Sequence, residues 1–200
     1  TASSYSRTLK VELKTPHPKQ AAFIRSKAKR KIARSGRRSG KTTAGAILAV
    51  EEFLAGHRVL YATPTADQIT KFWWEVKQAL AIPIDAGIYV KNETLHTIEL
   101  PSTQQRIRAK TAFNADTLRG DYADLLILDE WQLMDEEAWE LVGAPMLLDN
   151  NGSAIFIYTP PSLHSRSISK ARDPLHASKM FKLAQADTSG RWEAFHWTSH

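Results

Sequence analysis

Ser35-Gly36-Arg37-Arg38-Ser39-Gly40-Lys41-Thr42-Thr43 follows a short strand-like run ending at Arg34. It leads directly into Ala44-Gly45-Ala46-Ile47-Leu48-Ala49-Val50. A glycine-bearing loop between a strand and a helix reads as a phosphate-binding loop. Glycine at 40 lets the backbone approach an anion closely, the N–H groups opening the helix face that anion, and Lys41 reaches the β- and γ-phosphates of a nucleotide. Thr42 offers a hydroxyl to Mg²⁺. The strict pattern is Gly, four residues, then Gly-Lys-Ser/Thr. Here Ser35 holds the first position and the glycine comes one residue later, at 36. A basic turn before a helix has the same local look, so the flanking segments have to decide.

They favour the phosphate loop. Pro16-His17-Pro18 opens a short helix, Lys19 to Lys27, because proline is tolerated at helix starts. Lys29 to Arg34 is a strand feeding the loop, and the helix beyond it runs from Lys41 to about Leu54, where Gly56 stops it. Arg58–Ala62 reads as a second strand, followed by a helix after Pro64-Thr65 that carries Ile69, Phe72, Trp73 and Val76 at helical spacing. Strand, helix, strand, helix predicts an α/β domain with a mostly parallel central sheet flanked by helices. Between residues 84 and 112 the period changes to two. Residues 94–100 and 105–110 read as a β-hairpin around Pro101-Ser102-Thr103, with Arg106, Arg108 and Lys110 on one face. That face is either solvated or a contact for nucleic-acid backbone.

Asp124-Leu125-Leu126-Ile127-Leu128-Asp129-Glu130 is a continuous apolar run ending in two acids, the pattern of a central strand whose carboxyl end meets a ligand. Nucleotide hydrolysis needs a carboxylate near Mg²⁺ and a group that positions the attacking water. Asp129 is assigned the metal and Glu130 the water. A helix is expected from Asp135 to Leu147, a buried strand at Ser153–Tyr158, and two further strands at Lys179–Leu183 and Trp192–Trp197. Within the loop, Arg37 and Arg38 are placed to pair with phosphate charge. Arg37 is favoured for this role, and Arg34 is left open. Trp73, Trp131 and Trp139 lie in apolar helical patterns and are expected in the core or an interface rather than under a base.

Two hundred residues with 42% hydrophobic content suffice for one domain with a full core. We take 1–27 as an N-terminal arm and adenine-side segment, 28–161 as the nucleotide-binding core, and 162–200 as C-terminal strands. No apolar run is long enough for a membrane helix, and the polar start lacks the pattern of a signal peptide, so a soluble intracellular protein is expected. The chain has no cysteine and its seven histidines show no metal spacing, which argues against a transition-metal enzyme. A net charge of +6 and a pI near 9.5 favour a polyanionic partner.

Taken in order, Pro18-Lys19-Gln20, Gly36 to Thr42, Pro64-Thr65 with Gln68 and Trp73 or Trp74, Leu118-Arg119-Gly120, Leu126 to Glu130 and Tyr158-Thr159-Pro160 resemble the large terminase subunit of tailed double-stranded DNA bacteriophages, specifically its N-terminal packaging ATPase domain. The resemblance covers about residues 14–200. It implies a P-loop NTPase of the additional-strand, catalytic-glutamate (RecA-like) type, in which another strand separates the Walker A and Walker B strands.

It also implies ATP and Mg²⁺ as cofactors, Gln20 as the adenine-reading residue, and Ser35 to Thr43 as the ATP-binding loop. Asp129 and Glu130 become the Walker B pair, and Thr159 the coupling residue that senses the γ-phosphate. Arg37 and Arg119 become candidates for an arginine finger. Implied partners are double-stranded DNA, a portal protein, a small terminase subunit and further copies in a ring on the procapsid, in the cytoplasm of an infected bacterium. Relatives of this kind continue into a lid and a nuclease with a cluster of metal-binding acids. Neither is found here, and with Thr1 in place of Met the chain is expected to be a fragment, monomeric when isolated. A helicase-like ATPase on nucleic acid and a nucleotide-binding docking module without turnover remain as alternatives.

Overall fold

The computed structural model describes residues 11–36, 40–160 and 169–197. Arg37, Arg38 and Ser39, assigned above to the phosphate loop, lie outside the described residues. Eight strands form one sheet in the order β3-β4-β5-β2-β6-β7-β1-β8. β1 (Arg30–Ser35), β2 (Arg58–Thr63), β5 (Arg106–Thr111), β6 (Leu125–Asp129), β7 (Ser153–Tyr158) and the edge strand β8 (Trp192–Trp197) all run parallel. β4 (Thr97–Glu99) runs antiparallel to β5, and β3 (Val90–Asn92) antiparallel to β4. β7 lies between β1, which feeds the phosphate loop, and β6, which carries the paired acids. This is the inserted-strand order that the resemblance implied.

Burial on both faces follows from strict alternation. Val59 and Tyr61 of β2, Leu125 and Ile127 of β6, and Ile155 and Ile157 of β7 pack on one side. There they meet α2 (Lys41–Leu54) and α3 (Ala66–Ala79) through Ala46, Val50, Phe53, Phe72 and Trp73. Leu60, Leu126, Leu128, Phe156 and Tyr158 face the other side, against Trp131, Trp139, Leu147 and Phe181. α2 lies on the sheet at Gly45, where a Cβ would make ordinary contact with the side chains of Ile157 at 3.5 Å and Ile127 at 4.0 Å. Trp73, Trp131 and Trp139 are core residues, as their spacing predicts.

Several expectations need correction. The strand expected at Lys179–Leu183 is part of a helix, α6 (His176–Ala186), which buries Ala177, Phe181 and Ala184 at i, i+4 and i+7. A five-residue window is too short to show that period. The helix expected from Asp135 to Leu147 is instead a π-helical segment, Ala138–Gly143, followed by the short α5 (Ala144–Met146). Pro145 has no N–H to continue a regular ladder. A Cβ on Gly143 would stand 2.8 Å from Trp139 Cε3 and 3.0 Å from Leu126 Cδ2, so the segment rests directly on β6.

The first helix, α1, spans Pro18–Arg25 and stops two residues earlier than expected. The hairpin turn around Pro101–Thr103 is present, with Leu100 N–H bonding Gln105 O at 3.1 Å. The first arm, though, is only Thr97–Glu99, and β3 extends the addition to three strands. A short helix α4 (Ala81–Asp85) connects α3 to it.

Candidate nucleotide site

The site lies where the carboxyl ends of β1, β6 and β7 meet the amino end of α2. Gly40 precedes that helix with φ of 80°, a left-handed conformation suited to glycine. Its carbonyl accepts Ala44 N–H at 3.0 Å, closing the first helical turn, and also accepts Gln20 Nε2 at 2.8 Å. Gln20 in turn takes part in a reciprocal cap on α1. Its Oε1 accepts His17 N–H at 3.1 Å and its N–H donates to His17 Nδ1 at 3.3 Å. The predicted adenine-side glutamine therefore ties α1 to the phosphate loop.

Lys41 and Thr42, the first two residues of α2, are both buried. The Lys41 ammonium donates to Thr159 Oγ1 at 2.8 Å and to Tyr158 O at 3.5 Å, just past β7. Burial holds its pKa below the usual lysine value, while Asp129 and Glu130 pull it back up. The Thr42 hydroxyl reaches Asp129 Oδ2 at 3.3 Å and Gln68 Oε1 at 3.2 Å. Thr43 is different, since its hydroxyl donates to Glu75 of α3 at 3.1 Å. Its contribution to a ligand would come from its backbone N–H in the first turn. Gly36 lies at the loop entrance, directly after Ser35, the last residue of β1.

Asp129 is 1% exposed and its two oxygens do different work. Oδ1 accepts Glu130 N–H at 2.8 Å, and Oδ2 accepts the Tyr61 hydroxyl at 2.5 Å in addition to Thr42. Tyr61 is stacked on Phe72 with ring centroids 3.9 Å apart. Burial, reinforced by Asp129, pushes its pKa well above the ordinary phenol value, so it remains a donor. Glu130 has φ of 57° and ψ of 42°, a left-handed conformation that costs a non-glycine residue about 1–3 kcal/mol and that clusters at functional positions. Its carboxylate Oε2 accepts Gln132 Nε2 at 2.6 Å, and Gln132 Oε1 accepts Thr159 N–H at 3.3 Å.

Sequence reasoning missed Tyr61, Gln68 as a Thr42 partner, and Gln132. Gln132 stands only two residues beyond Glu130 on the 3₁₀ turn Trp131–Leu133, and that proximity was the available signal.

Mg²⁺ fits these residues. A hydroxyl and one buried carboxylate converging within 3.3 Å suit a small hard ion that keeps most of its waters and takes the rest of its ligands from phosphate. Among the described residues there is no group of three or more His, Cys, Asp or Glu able to hold a metal by themselves. Nor is any helix among them long and apolar enough to cross a membrane.

Arg106, Arg108, Lys110 and Arg119 are not brought to this site. Arg108 Nη1 and Lys110 Nζ pair with Asp121 at 3.2 and 2.7 Å, so part of the predicted basic face is internally neutralised. Arg119 follows the 3₁₀ turn Ala115–Leu118 with a well-exposed side chain. Among the described residues its ion pair is with Asp116, at 3.0 Å, and not with the phosphate site.

Comparison with known proteins then decides the lineage. The family described as "Terminase large subunit, T4likevirus-type, N-terminal" matches residues 32–185, three quarters of the chain and every element of the site except Gln20. The chain belongs to the terminase large-subunit family.

The terminase large subunit of Thermus virus P23-45 is 30% identical over 169 residues, which is 74% of this chain and 34% of that relative. The chain thus spans about a third of the length of the curated terminases it matches. Among solved structures, the large terminase ATPase domain of Thermus phage P74-26 superposes with a TM-score of 0.69 at 24% identity, over 91% of this chain and 80% of that one. The large terminase of bacteriophage HK97 gives 0.63 at 13% identity, over 92% and 40%. A thermophilic-phage large terminase in complex with ATP-γ-S gives 0.54 at 16%, over 91% and 44%. At these identities the likeness establishes a terminase-type, RecA-like fold.

Proposed function

We propose that this chain is the ATP-hydrolysing motor domain of a terminase large subunit and powers translocation of double-stranded viral DNA into a procapsid. The observation carrying this reading is the convergence of Lys41, Thr42, Asp129, Glu130 and Thr159 at the carboxyl end of the sheet, on three separate segments. Membership in the family supports it, as does a similarly folded terminase that holds ATP-γ-S.

The chemistry follows from the donors present. First-turn N–H groups of α2 and the Lys41 ammonium bind the triphosphate, with Gly40 keeping the backbone close. Mg²⁺, held by Thr42 and Asp129, would offset phosphate charge. Glu130 orients a water and accepts its proton as the water oxygen bonds to the γ-phosphorus and the bond to the ADP oxygen breaks. Arg37 and Arg119 are the candidates for a guanidinium acting on the transition state, Arg119 from a neighbouring subunit. Such a group typically contributes about 10³ to 10⁵ in rate. DNA, portal protein, a small subunit and a ring of copies at the portal vertex in the infected cytoplasm complete the proposed setting.

The test is phosphate release with Lys41→Ala and Glu130→Gln. Lys41→Ala should lose nucleotide binding. Glu130→Gln should bind ATP-γ-S with Mg²⁺ as well as the parent while turnover collapses. Wild-type turnover in Glu130→Gln would overturn the catalytic assignment.

A further inference from the structure

Gln132 is 4% exposed, and both ends of its amide are committed. The carboxylate of Glu130 only accepts and the Thr159 backbone N–H only donates, so one orientation of the amide satisfies both: Nε2 to Glu130 at 2.6 Å and Oε1 from Thr159 at 3.3 Å. Thr159 Oγ1 accepts from Lys41 at 2.8 Å. A continuous line of hydrogen bonds therefore runs from the phosphate lysine through Thr159 and Gln132 to the carboxylate that handles water.

We propose that Gln132 is a positioning residue that sets the Glu130 carboxylate according to the state of Thr159. The inference rests on the ATPase reading above. A bound triphosphate draws the Lys41 ammonium toward the loop, and the Thr159 hydroxyl changes partner. The backbone at Thr159 shifts with it, and the Gln132 amide transmits that shift to Glu130. The carboxylate is thereby aligned when a γ-phosphate is present. The backbone strain at Glu130 fits this role, because a left-handed residue held by a local bond to Asp129 presents its carboxylate to the Gln132 amide.

Two variants separate positioning from scaffolding. Gln132→Met keeps length and apolar packing but removes both bonds. Gln132→Glu keeps an acceptor for the Thr159 N–H but puts a carboxylate against Glu130. ATP turnover and ATP-γ-S affinity are measured in the full chain for each, alone and in a Glu130→Gln background. Both single variants should lower kcat at least tenfold while KM and ATP-γ-S affinity stay within about threefold. Gln132→Met should not slow the residual rate of Glu130→Gln further. The proposal is overturned if Gln132→Glu retains parental kcat, which a mere tether to Thr159 predicts. It is also overturned if Gln132→Met slows the Glu130→Gln protein as much as it slows the parent. Absence of ATP turnover in the unaltered protein, or parental turnover in Glu130→Gln, would instead bring down the ATPase reading itself.

Discussion

Gly40 shows how little room a single residue leaves at this site. Its φ of 80° is strained for any L side chain, and a Cβ would stand 2.3 Å from Gln20 Nε2. Gly40→Ala therefore costs about 1–2 kcal/mol of backbone strain and expels the Gln20 amide from the Gly40 carbonyl. We expect ATP-γ-S affinity to fall at least tenfold with a drop of a few degrees in Tm, read by titration and by thermal melting. Unchanged affinity would mean that the Gln20–Gly40 link has no bearing on the loop. Gly40, Lys41, Thr42, Asp129 and Glu130 were legible in the sequence because each belongs to a short contiguous pattern whose spacing carries the chemistry. Tyr61 and Gln132 were not. Tyr61 meets Asp129 only because β2 lies beside β6, and Gln132 meets Thr159 only because β7 lies on the other side of β6.

At the scale of elements, Lys31 fastens α1 to the strand that feeds the loop. Its ammonium caps the carboxyl end of α1 through Phe23 O at 2.7 Å and lies over the Phe23 ring at 5.4 Å. Burial lowers its pKa from 10.5 to about 8. Between those values the unfolded chain binds more protons than the folded one, so this group makes stability rise with pH from about 8 to 10.5, and below 8 its penalty is complete. Lys31→Met should lack that rise relative to the parent in denaturant titrations across the same interval. A parallel pH dependence in the two proteins would contradict the assignment.

The hairpin addition gives a second test at this scale. Each phosphate contact contributes about 0.9 to the slope of log K against log salt for duplex DNA. With Arg108 and Lys110 already paired to Asp121, neutralising Arg106, Arg108 and Lys110 together should change that slope by less than about one. A loss near three would restore this face as a principal DNA contact. Period-two alternation revealed the hairpin and its basic face, but the partner Asp121 comes from the loop after β5, which no periodicity describes. The misassigned strand at Lys179–Leu183 has a similar cause, because its helical burial extends beyond the hydrophobic word itself.

Across the whole molecule, the alternation of strands and helices was enough to predict a parallel sheet, and the apolar run before Asp129 was enough to centre β6. The order of strands was not readable from local pattern and came only with the resemblance, since it depends on where each crossover returns. β8 completes the sheet beside β1, placing Trp197 and Phe195 against Phe23 of α1. Replacing Trp197, which is 1% exposed, with alanine should cost about 3–5 kcal/mol, measured by equilibrium unfolding. A loss under about 1 kcal/mol would mean that this end of the sheet is not packed as described.

β1 is the second element of the described chain, yet both strands that flank it, β7 and β8, come from residues 153–158 and 192–197. On a ribosome, the strand leading into the phosphate loop therefore emerges long before anything exists to pair with it. The α2–α3–β2–β5–β6 portion can gather first, while the two edges of β1 wait for β7 and β8, in the last quarter of the chain. Nucleotide then cannot assist the early stages of folding. A nascent chain stalled with residue 150 just outside the exit tunnel, before β7 has emerged, should hold a protease-resistant β2–β5–β6 core and retain no ATP-γ-S. One stalled beyond residue 197 should retain it.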